Sequence, residues 1–396
     1  MPLTAIFARR SVRPVVAGTG LLALDVVLNG DGLRKSRLWA GGSCGNVLTI
    51  LAYLGWRSYP IARIGKDAAG RELLRDMKKW GVNPRFIAPE STTHTPVVVE
   101  RIGETSTGIP WHRFHFSCPN CGSTLPRYRP VTSDIAPAIQ RRAPKTQVFY
   151  FDRAAPGTLA VAEVFKKKGS IVFFEPSRIR NEEIFVDCLE VSDIVKYSHE
   201  RLSHARNLLD SVPIPIEIET LGSAGLRYRT QLDRAETSGW KVMSAFPVGS
   251  LRDAAGAGDW CSAGIIHRLA LDGRATLDSI ALSHLEDSLR FGQAIGAIKC
   301  HFEGARGIMY SITRRKFEEL FRTVWAERGR VEVSEDVVSP ASRRIMDRIC
   351  PHCARVWESG GSFAVSSSSR TPRSDNRSKT NLSKPLKQSE ARSPSV

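Results

Sequence analysis

The sequence has no apolar run of about 18 residues, so nothing in it reads as a membrane-spanning helix. It lacks Gly-x-x-x-x-Gly-Lys-Ser/Thr, which excludes a P-loop as far as sequence can, and no internal repeat is visible. Acids are the scarce charge: 40 Asp and Glu against 57 Lys and Arg, a formal net charge of +17. That balance suggests nucleic acid or an acidic substrate, but its location matters more than its size. From Gly361 onward there are seven Lys and Arg, two acids, eleven serines and scarcely an apolar residue. Such a segment cannot bury a core, so residues 359–396 are expected to form a disordered basic tail, and nucleic acid is not the expected partner. Arg9, Arg10 and Arg13 precede a stretch broken by Gly18-Thr19-Gly20 and Asp25, which makes a poor signal peptide. A soluble cytoplasmic protein without a membrane partner is expected.

What remains is ordinary globular composition, 42% hydrophobic and 24% charged over 396 residues, enough for one large α/β domain or two smaller ones. Strand-like Val148–Phe151, Ile171–Phe174, Asp193–Tyr197 and Ile214–Thr220 alternate with helical patterns such as Leu159–Lys168. That rhythm predicts a mostly parallel sheet covered on both faces. Pro14–Leu28 reads as a strand with Asp25 near its end. Its Gly18-x-Gly20-x-x-Ala23 has the form of a dinucleotide fingerprint but lacks the helix that motif needs. Gly41-Gly42-Ser43-Cys44-Gly45-Asn46 does open a helix, with Val47, Leu48, Ile50, Leu51 and Leu54 on one face. Thr95–Ile102 and Trp111–Phe116, around the polar turn Gly103–Gly108, fall outside the rhythm and read as an excursion from the main sheet.

The stretch around which the chain is arranged is Asp253-Ala254-Ala255-Gly256-Ala257-Gly258-Asp259. An apolar segment, Val242 to Val248, runs into it and a helical pattern with Ile265, Ile266 and Leu269 runs out. Glycines let the backbone approach a ligand, and the free N–H groups and dipole at a helix start favour an anion. An acid there would compete with phosphate unless it had other work, such as taking a proton from an attacking hydroxyl. The alternative is that Asp259 only stabilises the helix start, an effect of roughly 0.3–1 kcal/mol.

Together these pieces resemble the ribokinase-like (PfkB-type) family of carbohydrate and nucleoside kinases. One family signature is similar to Gly41–Asn46 with Leu54-Gly55, Ile64-Gly65-Lys66-Asp67-Ala68-Ala69-Gly70 and Gly81-Val82; the other is Asp253–Asp259. Thr220-Leu221-Gly222-Ser223-Ala224-Gly225 lies between them in the family's order. The resemblance implies an α/β ribokinase-like domain over 14–330, with a small β lid around 25–40 and 95–116. It implies ATP-dependent transfer to a hydroxyl of a sugar, sugar derivative or nucleoside. Asp259 would be the general base and the amides of Gly256, Ala257 and Gly258 the anion hole. Asp25, Gly42 and Asn46 would hold the acceptor, and Thr220, Gly222 and Gly225 would border ATP. Magnesium is expected, with room for K+, and an exposed lid edge would suit a homodimer. Where relatives carry Asn-x-x-Glu, this chain has Ser198-His199-Glu200-Arg201, with Glu200 as the substitute acid. Glu175-Pro176 replaces the usual Asp, and Gln293 an Asn. An inactive ligand-binding member of the same fold, or a nucleic-acid-associated zinc protein, are the alternatives.

Of eight cysteines, four form two Cys-x-x-Cys pairs: Cys118-Pro119-Asn120-Cys121 and Cys350-Pro351-His352-Cys353. This spacing suits metal rather than a disulfide framework. The two pairs can complete one closed four-thiolate zinc site, joining an insert at 117–130 to a C-terminal segment at 331–358. Two separate sites, a redox pair or free thiols are the alternatives, and His115 and His352 are lesser candidates.

Overall fold

The structure, a computed structural model, describes residues 6–7, 12–29, 37–106, 110–232, 239–327 and 345–358. The basic tail expected at 359–396 and the stretch 331–344 lie outside the described residues, as does part of the Gly103–Gly108 turn.

A nine-stranded sheet runs in the order β13-β12-β11-β10-β9-β8-β1-β4-β5. Its strands are β1 (Val15–Thr19), β4 (Arg57–Gly65), β5 (Phe86–Glu90), β8 (Val148–Phe151), β9 (Ile171–Phe174), β10 (Ile194–Ser198), β11 (Ile216–Thr220), β12 (Leu226–Thr230) and β13 (Lys241–Met243). The pairings from β11 through β5 are parallel, and only β12 and β13 run antiparallel. Continuous apolar strands such as Val-Phe-Tyr-Phe and Ile-Val-Phe-Phe form because both faces are covered. Val148, Tyr150, Ile171 and Phe173 enter one apolar core, while Phe149, Phe151, Val172 and Phe174 enter the other.

A second sheet, in the order β3-β2-β6-β7, is built from β2 (Ala23–Asn29), β3 (Arg37–Gly41), β6 (Val97–Glu104) and β7 (Pro110–His115). The single strand expected over Pro14–Leu28 is therefore two strands in different sheets. The break falls at Gly20, where Leu21 N–H donates to Asp152 Oδ1 at 2.9 Å and Leu21 O accepts from Gly45 N–H at 3.1 Å. Those two bonds pull the chain off the main sheet, so the acid at Asp25 sits on the second sheet. The apolar segment before the glycine turn also differs from expectation. Only Lys241–Met243 pairs, as an edge strand, and Val242 is exposed.

Candidate active site

Parallel strands present their carboxyl ends on one edge, and ligands of α/β sheets bind outside that edge. Here β8, β9, β10 and β11 deliver Asp152, Glu175, Ser198 and Thr220 to it. The helix Ala257–Leu269 starts above the same edge. Gly256 caps it in the left-handed region (φ 76°), and a Cβ there would lie 2.6 Å from the Ala305 backbone, so only glycine fits.

Asp259 stands half-buried in the first turn of that helix, and Asn46 Nδ2 donates to its Oδ2 at 2.7 Å. Burial first, then the Glu175 carboxylate, push the Asp259 pKa up to about 7. The Asn46 hydrogen bond, Lys196 and Arg201 pull against them. A carboxyl so poised can accept a proton near neutrality. The Ala257 amide donates to Ala254 O at 3.1 Å, which engages one of the three amides expected to face an anion.

Gly42 links Asn46 to Asp25: the Asn46 N–H donates to Gly42 O at 2.7 Å, and the Gly42 N–H donates to the Asp25 carboxyl. Gly41 makes room for Asp25: a Cβ there would meet Asp25 Oδ2 at 1.8 Å. Burial lifts the Asp25 pKa to about 7, opposed by Arg306 and the Gly42 N–H. Asn46 Oδ1 is buried without a protein partner among the described residues, as a group awaiting a hydroxyl would be. Asp25, Gly42, Asn46 and Asp259 are thus gathered into one place.

Thr220, Gly222 and Gly225 stand further along the edge, two strands beyond Glu175. Thr220 pairs with Ser198, and the turn after it uses positive φ at Gly222 and Gly225. Glu200 is exposed in the short helix His199–Leu202 after β10. The Arg201 beside it, standing where an acid was expected, acts electrostatically on Asp259.

Sequence reading passed over the support under Asp259. Lys196 is fully buried on β10, and its Nζ lies 2.5 Å from Glu175 Oε1 and 3.3 Å from Gly258 O. Ser262 Oγ donates to Glu175 Oε2 at 2.5 Å and Tyr150 OH donates to the same oxygen at 2.9 Å. Burial disfavours the Lys196 charge, but Glu175 outweighs it and its pKa rises. The one available signal was a lysine inside the apolar run Ile194-Val195-Lys196-Tyr197. Asp152 went unnoticed too; it accepts from Leu21 and Cys44 N–H and so fixes both the bend after β1 and the start of the helix Ser43–Tyr53.

The four knuckle cysteines converge elsewhere in the fold. Cys118 Sγ lies 3.7 Å from Cys353 Sγ, Cys121 Sγ 3.7 Å from Cys350 Sγ, and all four sulfurs fall within 4.8 Å of one another. Asn120 Nδ2 donates to Asp347 Oδ1 at 2.9 Å, joining the two segments a second time. No disulfide links any of them, and neither His115 nor His352 belongs to the group. Among the described residues no helix is long and apolar enough to cross a membrane.

Residues 20–109 match the family described as pfkB family carbohydrate kinase. A probable chloroplastic fructokinase-6 of Arabidopsis thaliana is 24% identical over 74% of this chain and 79% of its own length. Fructokinase-1 of Oryza sativa subsp. japonica is 22% identical over 74% and 89%. Among solved structures, aminoimidazole riboside kinase from Salmonella enterica, complexed with aminoimidazole riboside and an ATP analog, shares the fold. Its TM-score is 0.58 at 20% identity, over 77% of this chain and 99% of that one. A Vibrio cholerae fructokinase in fructose-, ADP- and potassium-bound form gives a TM-score of 0.57 at 20% identity, over 75% and 95%. With its parallel sheet and these likenesses, the chain has the ribokinase-like fold, and its residues 20–109 match the pfkB carbohydrate kinase family.

Proposed function

We propose that the protein transfers the γ-phosphate of ATP to a hydroxyl of a sugar, sugar derivative or nucleoside. The observation that carries this is the Asn46–Asp259 hydrogen bond, which joins the acceptor side of the site to a carboxylate whose pKa is near 7. Asp25, Gly42 and Asn46 hold the acceptor, and Asn46 sets the orientation of Asp259. Asp259 takes the hydroxyl proton as the oxygen attacks. The amides of Gly256 and Gly258, with the helix start behind them, face the charge that grows on the transferred phosphoryl group. Phosphoryl transfer relies chiefly on this kind of positioning and charge stabilisation. Lys196 neutralises Glu175 beneath the turn and bonds Gly258 O, so the base and the amides keep one geometry.

Thr220, Gly222 and Gly225 border the nucleotide. Magnesium arrives with the ATP phosphates, and the exposed Glu200 is the acid open to it, since both Glu175 oxygens are already taken. The second sheet acts as a lid that keeps water from the transferring group. Its β7 edge exposes Trp111 and Phe114, which supports pairing of two copies through the lid. The cysteine cluster fits structural zinc. Tetrahedral Zn–S bonds of about 2.3 Å place sulfurs about 3.8 Å apart, close to the two 3.7 Å separations present. Free thiols suit a reducing compartment such as the cytoplasm.

The test is ADP formation with a panel of sugars and nucleosides, starting with fructose because the curated relatives are named fructokinases. Turnover of one acceptor that disappears in Asp259→Asn supports the reading. Ligand-induced thermal stabilisation with no turnover of any acceptor would instead favour a binding protein on the same fold.

A further inference from the structure

We propose that the Lys299 ammonium is a built-in counter-cation for the glycine turn, so that transfer at this site needs no monovalent metal ion. The proposal rests on the kinase reading above and concerns what holds the turn in shape.

The turn begins at Asp253, whose side chain is fully buried, and every polar atom of that residue is engaged. Its N–H donates to Cys300 O at 3.2 Å. Its Oδ1 accepts from Ala255 N–H at 2.8 Å and lies 3.2 Å from His112 Nδ1 on β7. Its Oδ2 accepts from Gly304 N–H at 2.7 Å. Lys299, the last residue of the helix Leu282–Lys299, is also fully buried; its Nζ donates to Asp253 O at 2.7 Å and lies 3.2 Å from Oδ2. A carbonyl and a carboxylate oxygen sealed from solvent are the donors a hard cation takes. In this chain an ammonium has taken them.

The local charge is closed as well. Burial and the neighbouring Asp253 push the Glu100 carboxyl on β6 well above the usual range. Burial works against the Asp253 charge, but Lys299, His112 and the Ala255 N–H hold its pKa down to about 2. The buried Asp253 carboxylate already has the Lys299 ammonium as its partner, and an added metal ion would be a buried charge with no counterpart. The room that the family resemblance leaves for K+ is filled by the chain itself.

Lys299 is a positioning residue. It pins the carbonyl at the root of the turn, while Gly304 pins the adjoining carboxylate and Ala305 packs against Gly256. The segment 299–305 thereby fixes both ends of the turn whose amides face the phosphoryl group.

The experiment compares turnover of the full-length protein in potassium chloride and in tetramethylammonium chloride at equal ionic strength. Wild-type rates should agree within about twofold. Lys299→Ala should lose about tenfold or more, in the manner of a weakened anion hole, and recover in part with potassium or ammonium but not with tetramethylammonium. Lys299→Met, which fills the space without a charge, should fall as far and not recover. A wild-type rate that rises tenfold or so with potassium overturns the proposal, whether or not the variants fold. If wild type turns over no acceptor, the kinase reading fails separately, and melting temperature then decides the cation question. Wild type should melt alike in both salts, and Lys299→Ala should gain stability from potassium alone. A potassium-specific gain in wild type overturns the proposal by that readout too.

Discussion

Asn46 reaches across 213 residues of sequence to place its amide 2.7 Å from the Asp259 carboxylate. The contact aims one acid at the place where Asp25 and Gly42 also converge. Replacing Asp259 with Asn keeps an oxygen that can accept from Asn46 but removes the carboxylate proposed to take the proton. General-base contributions of about 10²–10⁴-fold set the expected loss in kcat, with nucleotide affinity changed little. Steady-state rates beside a direct ATP-analogue binding measurement check it. A variant retaining most of its kcat would remove Asp259 from the proton transfer.

The same contact predicts a pH profile. With Asp259 titrating at about 7, kcat/KM should climb through neutral pH as the carboxylate forms. The Asn46 amide favours the charged form, so Asn46→Ala should move that limb to higher pH, in addition to weakening the acceptor. A profile measured on both proteins with the same acceptor settles the direction. A shift toward acid, or none, would contradict the electrostatic role given to Asn46.

Stability should carry the opposite sign. Asp25 and Asp259 both have folded pKa values near 7, above the unfolded value of about 3.9, so the folded state holds those protons more tightly. Their contribution is complete below about pH 4 and is lost as pH rises through about 7. The loss is at most ~4 kcal/mol for each group, and less for half-buried Asp259, which water partly screens. Between about pH 5 and pH 8, Asp259→Asn should therefore lose less melting temperature than wild type does. Thermal melts at the two pH values read this without any assay of activity.

Beneath the turn, the buried Lys196–Glu175 pair is expected to be the costliest to break. Removing one partner strands a charge in a dry place, and losses of about 3–5 kcal/mol are typical. Lys196→Met should lower stability by that order and reduce kcat, because Glu175 would then bear unopposed on Asp259. The double variant Lys196→Met/Glu175→Gln should regain part of the stability. Equal damage in the single and double variants would show that packing, and not charge, dominates there.

What could be read from the sequence followed the range of each interaction. Val148–Phe151 and Ile171–Phe174 were legible because unbroken apolar runs in a parallel sheet leave little else for them to be. The glycine turn was legible because backbone approach and a helix start leave a local signature at Asp253–Asp259. The bend at Gly20 was not, since it depends on Asp152, 131 residues from Leu21. Lys196 and Lys299 were overlooked for a related reason. Their roles exist only once distant acids are folded against them, and a lysine at the end of a helix ordinarily reads as solvated.

The two cysteine pairs are the case in which a local pattern made a long-range statement, and they yield the last prediction. Cys118 and Cys121 sit on a tight loop closed by Cys118 N–H to Ser123 O at 2.8 Å and Gly122 N–H to Cys118 O at 2.9 Å. That loop continues directly from the second sheet: Leu125 N–H donates to Phe116 O at 2.8 Å and Val97 N–H to Pro126 O at 3.2 Å. Whatever holds the four sulfurs together therefore also steadies the roots of β6 and β7. Purified protein should contain about one tightly held zinc per chain. Without metal, four thiolates within 4.8 Å of one another repel and must protonate or part. Strong chelation, or Cys118→Ser, should lower the melting temperature and raise KM for the acceptor more than for ATP, with zinc restoring the chelated protein. Metal content well below half an equivalent, with Cys118→Ser as stable as wild type, would discard the shared site. A stability loss with unchanged acceptor KM would keep the zinc and discard its link to the second sheet.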